Sequence, residues 1–423
     1  MKAVILAAGA STRCYPLTLS RPKPLLPLAN TPILLRTIAM LDGLVDGIIV
    51  VAGYKAELLK ESIRELSSDA HIEVVLQDEP KGTGHALLQA KDACAEDTGE
   101  FILVLNGDDL FARADLQALL VTTKSDARPG AAILVQEVPA AEKHRFGMVR
   151  AKEGILVALE EKPPQQGGAE LATEPGSAYT GAAILPSSVF TLLESLEPSP
   201  RGELELTDAL LALNKTRPIS VVTGFGWLPL AYPWDLLVAN RAVMGAMVED
   251  LTISPEAEIE NGATIKGPVA IGKGTRVLAG SYIEGPVMIG EDCLIGPNCY
   301  LRPWTCIGDD CHIGQAVELK STLVFDQTNI AHLSYVGDSI IGEGVNLGAG
   351  TIVANLRHDG GTVKSMVRGK LVDTGLRKFG AVIGDNAKVG IHTSILPGRR
   401  LWPQTHTRPA QVVERDIMPE GGA

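Results

Sequence analysis

The chain has 423 residues, more than a single core commonly serves, so two domains are expected. Hydrophobic residues make up 45% but aromatics only 4%, a composition suited to a core of Ile, Leu and Val. The net charge of −12 argues against a general nucleic-acid binder, and the lack of any apolar run near eighteen residues argues against a membrane span.

In chain order, residues 1–230 alternate apolar strand-like runs with helical stretches. VILAA, GIIVVAG, IEVVLQ, FILVLNGD and GAAILVQEV predict strands; TPILLRTIAMLDGL and GHALLQAKDAC predict helices between them. MKAVILAAGA has the apolar feel of a leader, but Arg13, Pro16 and a Gly-containing turn follow at once, so it is read as a buried first strand. The alternation predicts a three-layer, Rossmann-like α/β domain with a largely parallel sheet, whose ligands gather at the carboxyl ends of the strands. PWDLLVANRAVMGAMVED, residues 233–250, predicts a linking helix with Pro233 at its start.

Beyond it, Ile253, Ile259, Ile265, Ile271, Val277, Ile283, Ile289, Ile295, Leu301, Ile307, Ile313 and Leu319 recur every six residues. The residue two before each is small or β-branched with few exceptions, as at Ala257, Val269, Thr275, Cys293 and Val317. Neither helical nor strand periodicity gives a strict six. Three short strands per triangular turn do, with one aliphatic inward from each, which is the hexapeptide pattern of a left-handed parallel β-helix. The register slips after Leu319, continues at Val324, Ile330 and Val336, slips again to Ile341, Leu347 and Val353, and returns at Ile383, Val389, Ile395 and Leu401. A basic insertion at 356–380 carries Arg357, Lys364, Arg368, Lys370, Arg377 and Lys378. In an acidic chain it is a candidate for binding an anionic ligand, with solvated surface as the alternative. The expected division is 1–232, a linker helix 233–250, the solenoid 251–408 and a loose tail 409–423. Cys14, Cys94, Cys293, Cys299, Cys306 and Cys311 match no zinc spacing, and packed thiols in a reducing cytoplasm are expected.

Two constellations carry chemistry. After the first strand comes LAAGASTRCYPLTLSRPKPL, a turn whose N–H groups suit a polyphosphate, with Arg13 as a bidentate fork and Lys23 as a point charge. The pattern resembles the sugar-1-phosphate nucleotidyltransferases, with Leu6, Ala7, Ala8, Gly9, Thr12, Arg13, Pro16, Leu17, Thr18, Pro22 and Lys23 matching; Ser11 stands where a second Gly is usual. The resemblance implies a nucleotide site that includes Gln77, Gly82 and Thr83, with Mg²⁺ on Asp108. It implies sugar binding by Gly147, Glu161 and Tyr179, where Tyr179 replaces a frequent Asn. The implied reaction is in-line attack of a sugar phosphate on the α-phosphorus of UTP or dTTP, with Arg13 and Lys23 neutralising charge. The family's second metal carboxylate falls at Pro229, which has no ligand to give; Asp235 is a possible replacement, or a first-turn helix acid.

The second constellation centres on His332 in HLSYVGD, where a neutral imidazole could take a proton from an amine nucleophile. His312 reads as surface or structural. Residues 295–355 resemble the acetyltransferase domain of the bacterial bifunctional glucosamine-1-phosphate acetyltransferase / N-acetylglucosamine-1-phosphate uridylyltransferases, and the insertion resembles the archaeal version. That implies His332 as general base, Arg302, Lys320 and Tyr335 on the sugar phosphate, Asn346 and Asn355 near the amino sugar, and Ala349 and Lys364 along acetyl-CoA. A homotrimer built through the β-helix is expected by the same resemblance. The implied function is acetylation of an amino-sugar 1-phosphate followed by uridylyl transfer, with gluco and galacto sugars both open. Two alternatives stand beside it: a monofunctional thymidylyl- or uridylyltransferase whose β-helix only assembles subunits, and a regulatory scaffold with a decayed nucleotide site.

Overall fold

The computed structural model describes residues 1–66, 71–95, 100–124, 130–162 and 174–419. The chain forms two compact units, Met1–Ala10 with Ile33–Pro229, and Ser11–Pro32 with Leu230–Ala423. The sequence boundary at 232 lies close to the second break. The transfer of residues 11–32 to the later unit is a finding that sequence order does not disclose.

The first unit is built on a nine-stranded sheet. Its order is Ile72–Leu76, Gly47–Ala52, Lys2–Ala7, Phe101–Asn106, Gly176–Pro186, Ala132–Val138, Ser220–Thr223, Ile155–Glu161 and Gly147–Lys152. All five expected strands form. The first four of the sheet are parallel, but Gly176–Pro186 runs antiparallel to both neighbours and the last two strands form an antiparallel hairpin. The sheet is therefore more mixed than the sequence suggests. The strand that mixes it begins beyond the alternating run, in a stretch whose small residues Gly176, Ala178, Gly181, Ala182 and Ala183 weaken the strand signal. Lys2–Ala7 and Gly47–Ala52 are buried along their whole length, as continuous apolar runs in a covered parallel sheet must be. Helices Ile33–Leu41, Thr83–Gln89 and Arg113–Lys124 accompany the sheet; the stretch expected as one helix at 84–94 is two, divided at Ala90.

The second unit is the β-helix. Three parallel sheets of seven, eight and seven strands stack coil upon coil. Early coils advance eighteen residues, as in Val277↔Ile295 and Ile283↔Leu301. From Ile307↔Val324 to Val336↔Val353 they advance seventeen, which is the structural origin of the two register slips. The inward residues Val277, Ile283, Ile295, Leu301, Ile313, Leu319, Ile330 and Val336 are fully buried in one core. Corners are turned by left-handed residues every sixth position, at Asp292, Asn298, Trp304, Asp310 and Ala316. A left-handed residue costs about 1 kcal/mol or more outside Gly, Asn and Asp, so Trp304 and Ala316 stand out among these corners. Insertion 356–380 folds as an antiparallel hairpin, Lys364–Val367 with Lys370–Asp373. The tail is not loose: Val412–Val413 pairs with Ser394–Ile395, and the Trp402 and Ile417 backbones are bonded at 2.9 Å. Val413 and Ile417 supply the inward apolar groups that the hexad count stopped short of.

None of the six cysteines forms a disulfide, and all six are buried. Cys293, Cys299 and Cys311 occupy core positions, and burial pushes the Cys299 thiol up to about 11. No helix among the described residues is long and apolar enough to cross a membrane.

Candidate functional sites

In the first unit, strand ends gather three expected features. Ala8 O accepts the Tyr54 N–H at 3.1 Å, and a Cβ at Gly53 would stand 2.8 Å from that oxygen and 3.1 Å from Gln77 O. The chain ends of three neighbouring strands thus close on one spot, beside the exposed backbone of Gly9. Leu6 and Ala7 are buried strand residues. Gln77 is buried, and its Nε2 donates to Gly82 O at 3.1 Å and to His85 Nδ1 at 2.9 Å. That fixes the amide plane. His85 orients Gln77 and was not singled out from the sequence; its spacing of eight residues across a loop and a helix start carries no motif. Gly82 needs its φ of +102°, and a Cβ there would meet Leu204 O at 2.6 Å. The Thr83 hydroxyl accepts the Leu206 N–H at 3.1 Å, which ties it to the next helix.

Asp108 follows the strand Phe101–Asn106. Leu110 and Leu228 form an antiparallel bridge, and Trp227 Nε1 donates to the buried Asp109 carboxylate at 3.2 Å. Residues 227–229 therefore run alongside 108–110, and Pro229 adds no carboxylate there. Asp235, the possible replacement, has its Oδ2 accepting the Tyr232 N–H at 2.9 Å in a capping box at the start of the helix Pro233–Ala246. Among the described residues no three or more His, Cys, Asp or Glu side chains are placed to hold a metal ion together. A divalent metal here would take its protein donor from Asp108, a hard oxygen ligand of the kind such cations prefer.

The sugar-binding candidates converge. Gly147 faces Glu161 across the hairpin, and a Cβ at Gly147 would come within 3.0 Å of Glu161 Oε2 and 4.0 Å of Tyr179 Cβ. Glu161 Oε1 lies 2.9 Å from Lys162 Nζ and 4.0 Å from Arg201 Nη2. Among the described residues the buried Tyr179 hydroxyl has no hydrogen-bond partner, and burial next to Glu161 drives its pKa upward. A neutral phenol that has lost its water is a donor in need of an acceptor.

In the β-helix, Arg302, Lys320, Tyr335 and Asn355 share one region. Lys320 Nζ pairs with Asp338 at 2.9 Å, and Asn355 Nδ2 donates both to Asp338 Oδ2 and to the Tyr335 hydroxyl, the latter at 3.2 Å. Arg302 Nη1 bonds Glu318 at 2.8 Å, and its guanidinium lies over the Tyr300 ring. Asp338 was missed in the sequence: it sits at a left-handed corner, where an Asp reads as a turn former. His332 lies on the adjacent sheet, exposed and opposite Gln315 in the ladder, with His312 nearby on the same sheet as its electrostatic neighbour. Burial, then His332, lowers the His312 pKa. Asn346 continues that sheet opposite Asn329, and Ala349 O accepts the His392 N–H at 2.8 Å. Lys364 opens the insertion hairpin opposite Asp373. Arg368, grouped with it by charge in the sequence, instead donates to the Thr12 hydroxyl at 2.6 Å.

An α/β sheet with a phosphate-type turn, followed by a hexapeptide β-helix, defines a nucleotidyltransferase class with a solenoid appended. The nucleotidyl transferase family model matches residues 2–243, and that of the GMPPB C-terminal domain matches 283–399. The bifunctional protein GlmU of Methanococcus maripaludis is 42% identical over 419 residues, 99% of this chain and 95% of its own. That of Methanocaldococcus jannaschii is 37% identical over 99% and 96%. The bifunctional sugar-1-phosphate nucleotidylyltransferase/acetyltransferase of Sulfurisphaera tokodaii is 36% identical over 99% and 98%. A crystal structure of UDP-glucose pyrophosphorylase complexed with UDP-glucose aligns with a TM-score of 0.50 at 23% identity, over 58% of this chain and 98% of that one, a likeness of fold. The chain belongs to the nucleotidyl transferase family, among its bifunctional nucleotidylyltransferase/acetyltransferase members. It is a transferase.

Proposed function

We propose that this chain acetylates glucosamine 1-phosphate, or its galacto epimer, with acetyl-CoA, and then couples the N-acetylated sugar phosphate to UTP with release of pyrophosphate. The observation that carries the reading is full-length kinship with bifunctional relatives together with an intact Lys320–Asp338–Asn355–Tyr335 cluster beside the sheet bearing His332. That cluster counts against a β-helix serving assembly alone.

For acetyl transfer, Lys320 and Arg302 offer cations to the sugar phosphate while Asp338 and Glu318 hold them in place. His332 removes the proton as the amine attacks the thioester carbonyl, with Asn346 and Asn355 offering amides to the sugar. Ala349 and Lys364 are assigned to acetyl-CoA. For nucleotidyl transfer, Gln77 reads the pyrimidine edge, Gly147, Glu161 and Tyr179 hold the sugar, and Arg13 and Lys23 neutralise phosphate charge as pyrophosphate leaves. Mg²⁺ at Asp108, when bound, supplies charge neutralisation between the phosphates. UTP is favoured over dTTP only by the full-length relatives.

A homotrimer through the β-helix is supported by exposed aliphatics. Ile352 and Val412 project from one sheet, and Leu333 and Ile391 stand at the turns leading into it. A cytoplasmic location accords with six buried cysteines that form no disulfide. The test is incubation with acetyl-CoA, glucosamine 1-phosphate, UTP and Mg²⁺, with mass spectrometry of the products. A UDP-N-acetyl sugar is expected; nucleotide sugar without acetylation would favour the monofunctional alternative.

A further inference from the structure

Strand Gly176–Pro186 breaks its register against Ala132–Val138 between Tyr179 and Ala183. The break is held in place. The Thr180 hydroxyl donates to Leu134 O at 3.0 Å and accepts the Ala182 N–H at 3.3 Å. Gly181 takes a φ of 83°, and a Cβ there would collide with the Asn106 side chain. Such irregularities re-aim the side chains beside them, and the side chain beside this one is Tyr179. Its neighbours Ala178 and Thr180 are buried on the other side of the strand, while its ring packs at the margin of the core and stays partly exposed.

At the end of that ring the hydroxyl is shut off from solvent, and among the described residues nothing accepts its hydrogen. Glu161, whose charge it feels, does not accept it: Glu161 Oε1 is engaged by Lys162 Nζ at 2.9 Å. Arg201 Nη2, 4.0 Å from the same oxygen, is itself paired with Glu205 at 2.8 Å. Because Gly147 has no side chain, the space between Glu161 and Tyr179 stays clear; a Cβ there would lie 3.0 Å from Glu161 Oε2 and 4.0 Å from Tyr179 Cβ. Burial, then the Glu161 charge, pushes the phenol's pKa up, so it keeps its proton. A buried phenol in that state costs free energy until something accepts from it. Every one of these residues lies within the first unit.

We propose that the Tyr179 hydroxyl is the specificity-determining donor of the nucleotidyl-transfer sugar site, and that it selects the N-acetylated sugar phosphate over the free amine by donating to the acetamido oxygen. This rests on the reading of Gly147, Glu161 and Tyr179 as sugar residues, and the experiment separates the two. The C2 substituent is the group that acetyl transfer changes, from a protonated amine that only donates to an acetamide whose carbonyl accepts. The amine could add a donor to the phenol oxygen but would leave the phenol hydrogen unmatched. A site in which the wrong ligand leaves a buried polar group unpaired discriminates against that ligand. A turn of the partly exposed ring brings the hydroxyl to the sugar. One side chain thus keeps unacetylated sugar out of the nucleotide product.

The test compares the full-length protein with Tyr179→Phe, which keeps the ring and removes the hydroxyl alone. Ligand-free thermal unfolding is read beside UTP consumption with N-acetylglucosamine 1-phosphate and with glucosamine 1-phosphate, both with Mg²⁺. The variant is expected to raise the KM for N-acetylglucosamine 1-phosphate about tenfold, as loss of one hydrogen bond does, and to leave the KM values for UTP and acetyl-CoA unchanged. The preference for acetylated over free sugar, taken as a ratio of kcat/KM values, should fall by a similar factor. The ligand-free midpoint should rise by roughly 2–4 °C, because an unpaired buried hydroxyl is gone. An unchanged preference would overturn the proposal, and so would a midpoint that stays or falls, which would make Tyr179 a satisfied structural group. Wild-type protein that consumes no UTP with either sugar would sink the nucleotidyl-transfer reading itself.

Discussion

Leu110 and Leu228 exchange two backbone hydrogen bonds, 3.2 Å from the Leu110 N–H and 2.9 Å from the Leu228 N–H. This pairing lays Pro229 beside Asp108 and Asp109, at the place where the family resemblance expects a second metal carboxylate. Pro229→Asp should therefore lower the Mg²⁺ concentration that half-saturates nucleotidyl transfer, by roughly tenfold for one added ligand of this charge. Asp235→Asn should leave the Mg²⁺ dependence alone, because Asp235 caps a helix, and cost at most about 1 kcal/mol in stability. A Mg²⁺ titration of the three proteins decides; a shift in Asp235→Asn would return that carboxylate to the metal site.

The Lys320–Asp338 pair is mostly buried, with side chains 20% and 9% exposed. Lys320→Ala leaves Asp338 with Asn355 as a remaining donor and strips the sugar-phosphate site of a cation. The expected result is a raised KM for glucosamine 1-phosphate, together with a loss of ~1–3 kcal/mol in stability. Denaturant unfolding and acetyl-transfer kinetics report the two effects separately. A variant with wild-type KM would remove Lys320 from the phosphate site and leave it a structural partner of Asp338.

Burial, reinforced by His332, holds the His312 pKa below its ordinary value of 6.5. The unfolded chain then takes up this proton at a higher pH than the folded one. The stability that neutral His312 permits is complete above about pH 6.5 and falls as the pH drops below it. His312→Gln should flatten the loss of stability between about pH 6.5 and pH 5. Parallel slopes for the two proteins in denaturant unfolding would contradict the shift.

The hexad register foretold the core of the β-helix because each coil repeats one steric demand, and even the slips at Leu319 and Val336 correspond to coils of seventeen residues. Strand ends carrying Gln77 and Asp108 were legible for a similar reason: local apolar runs place them. Contacts across long separations were not. Arg21 and Asp385 are 364 positions apart, and nothing local in either residue announces the other. Arg368 was grouped by charge with Lys364, and nothing local pointed to its partner Thr12, 356 positions away. Asp338 was hidden by its turn position. Val413 was lost to a hexad count that ended too early, since the last coil keeps the inward aliphatic but little else of the pattern.

The central claim is that two chemistries reside at separate sites, acyl transfer at His332 and nucleotidyl transfer at Asp108. One measurement tests it directly: both activities assayed in parallel on folded His332→Ala and Asp108→Ala. Thiol release from acetyl-CoA should fall about 10²–10⁴-fold in His332→Ala, the usual loss for a general base, with UTP consumption on N-acetylglucosamine 1-phosphate retained. Asp108→Ala should show the reverse. Loss of both activities in either folded variant, or of neither in both, would contradict the account.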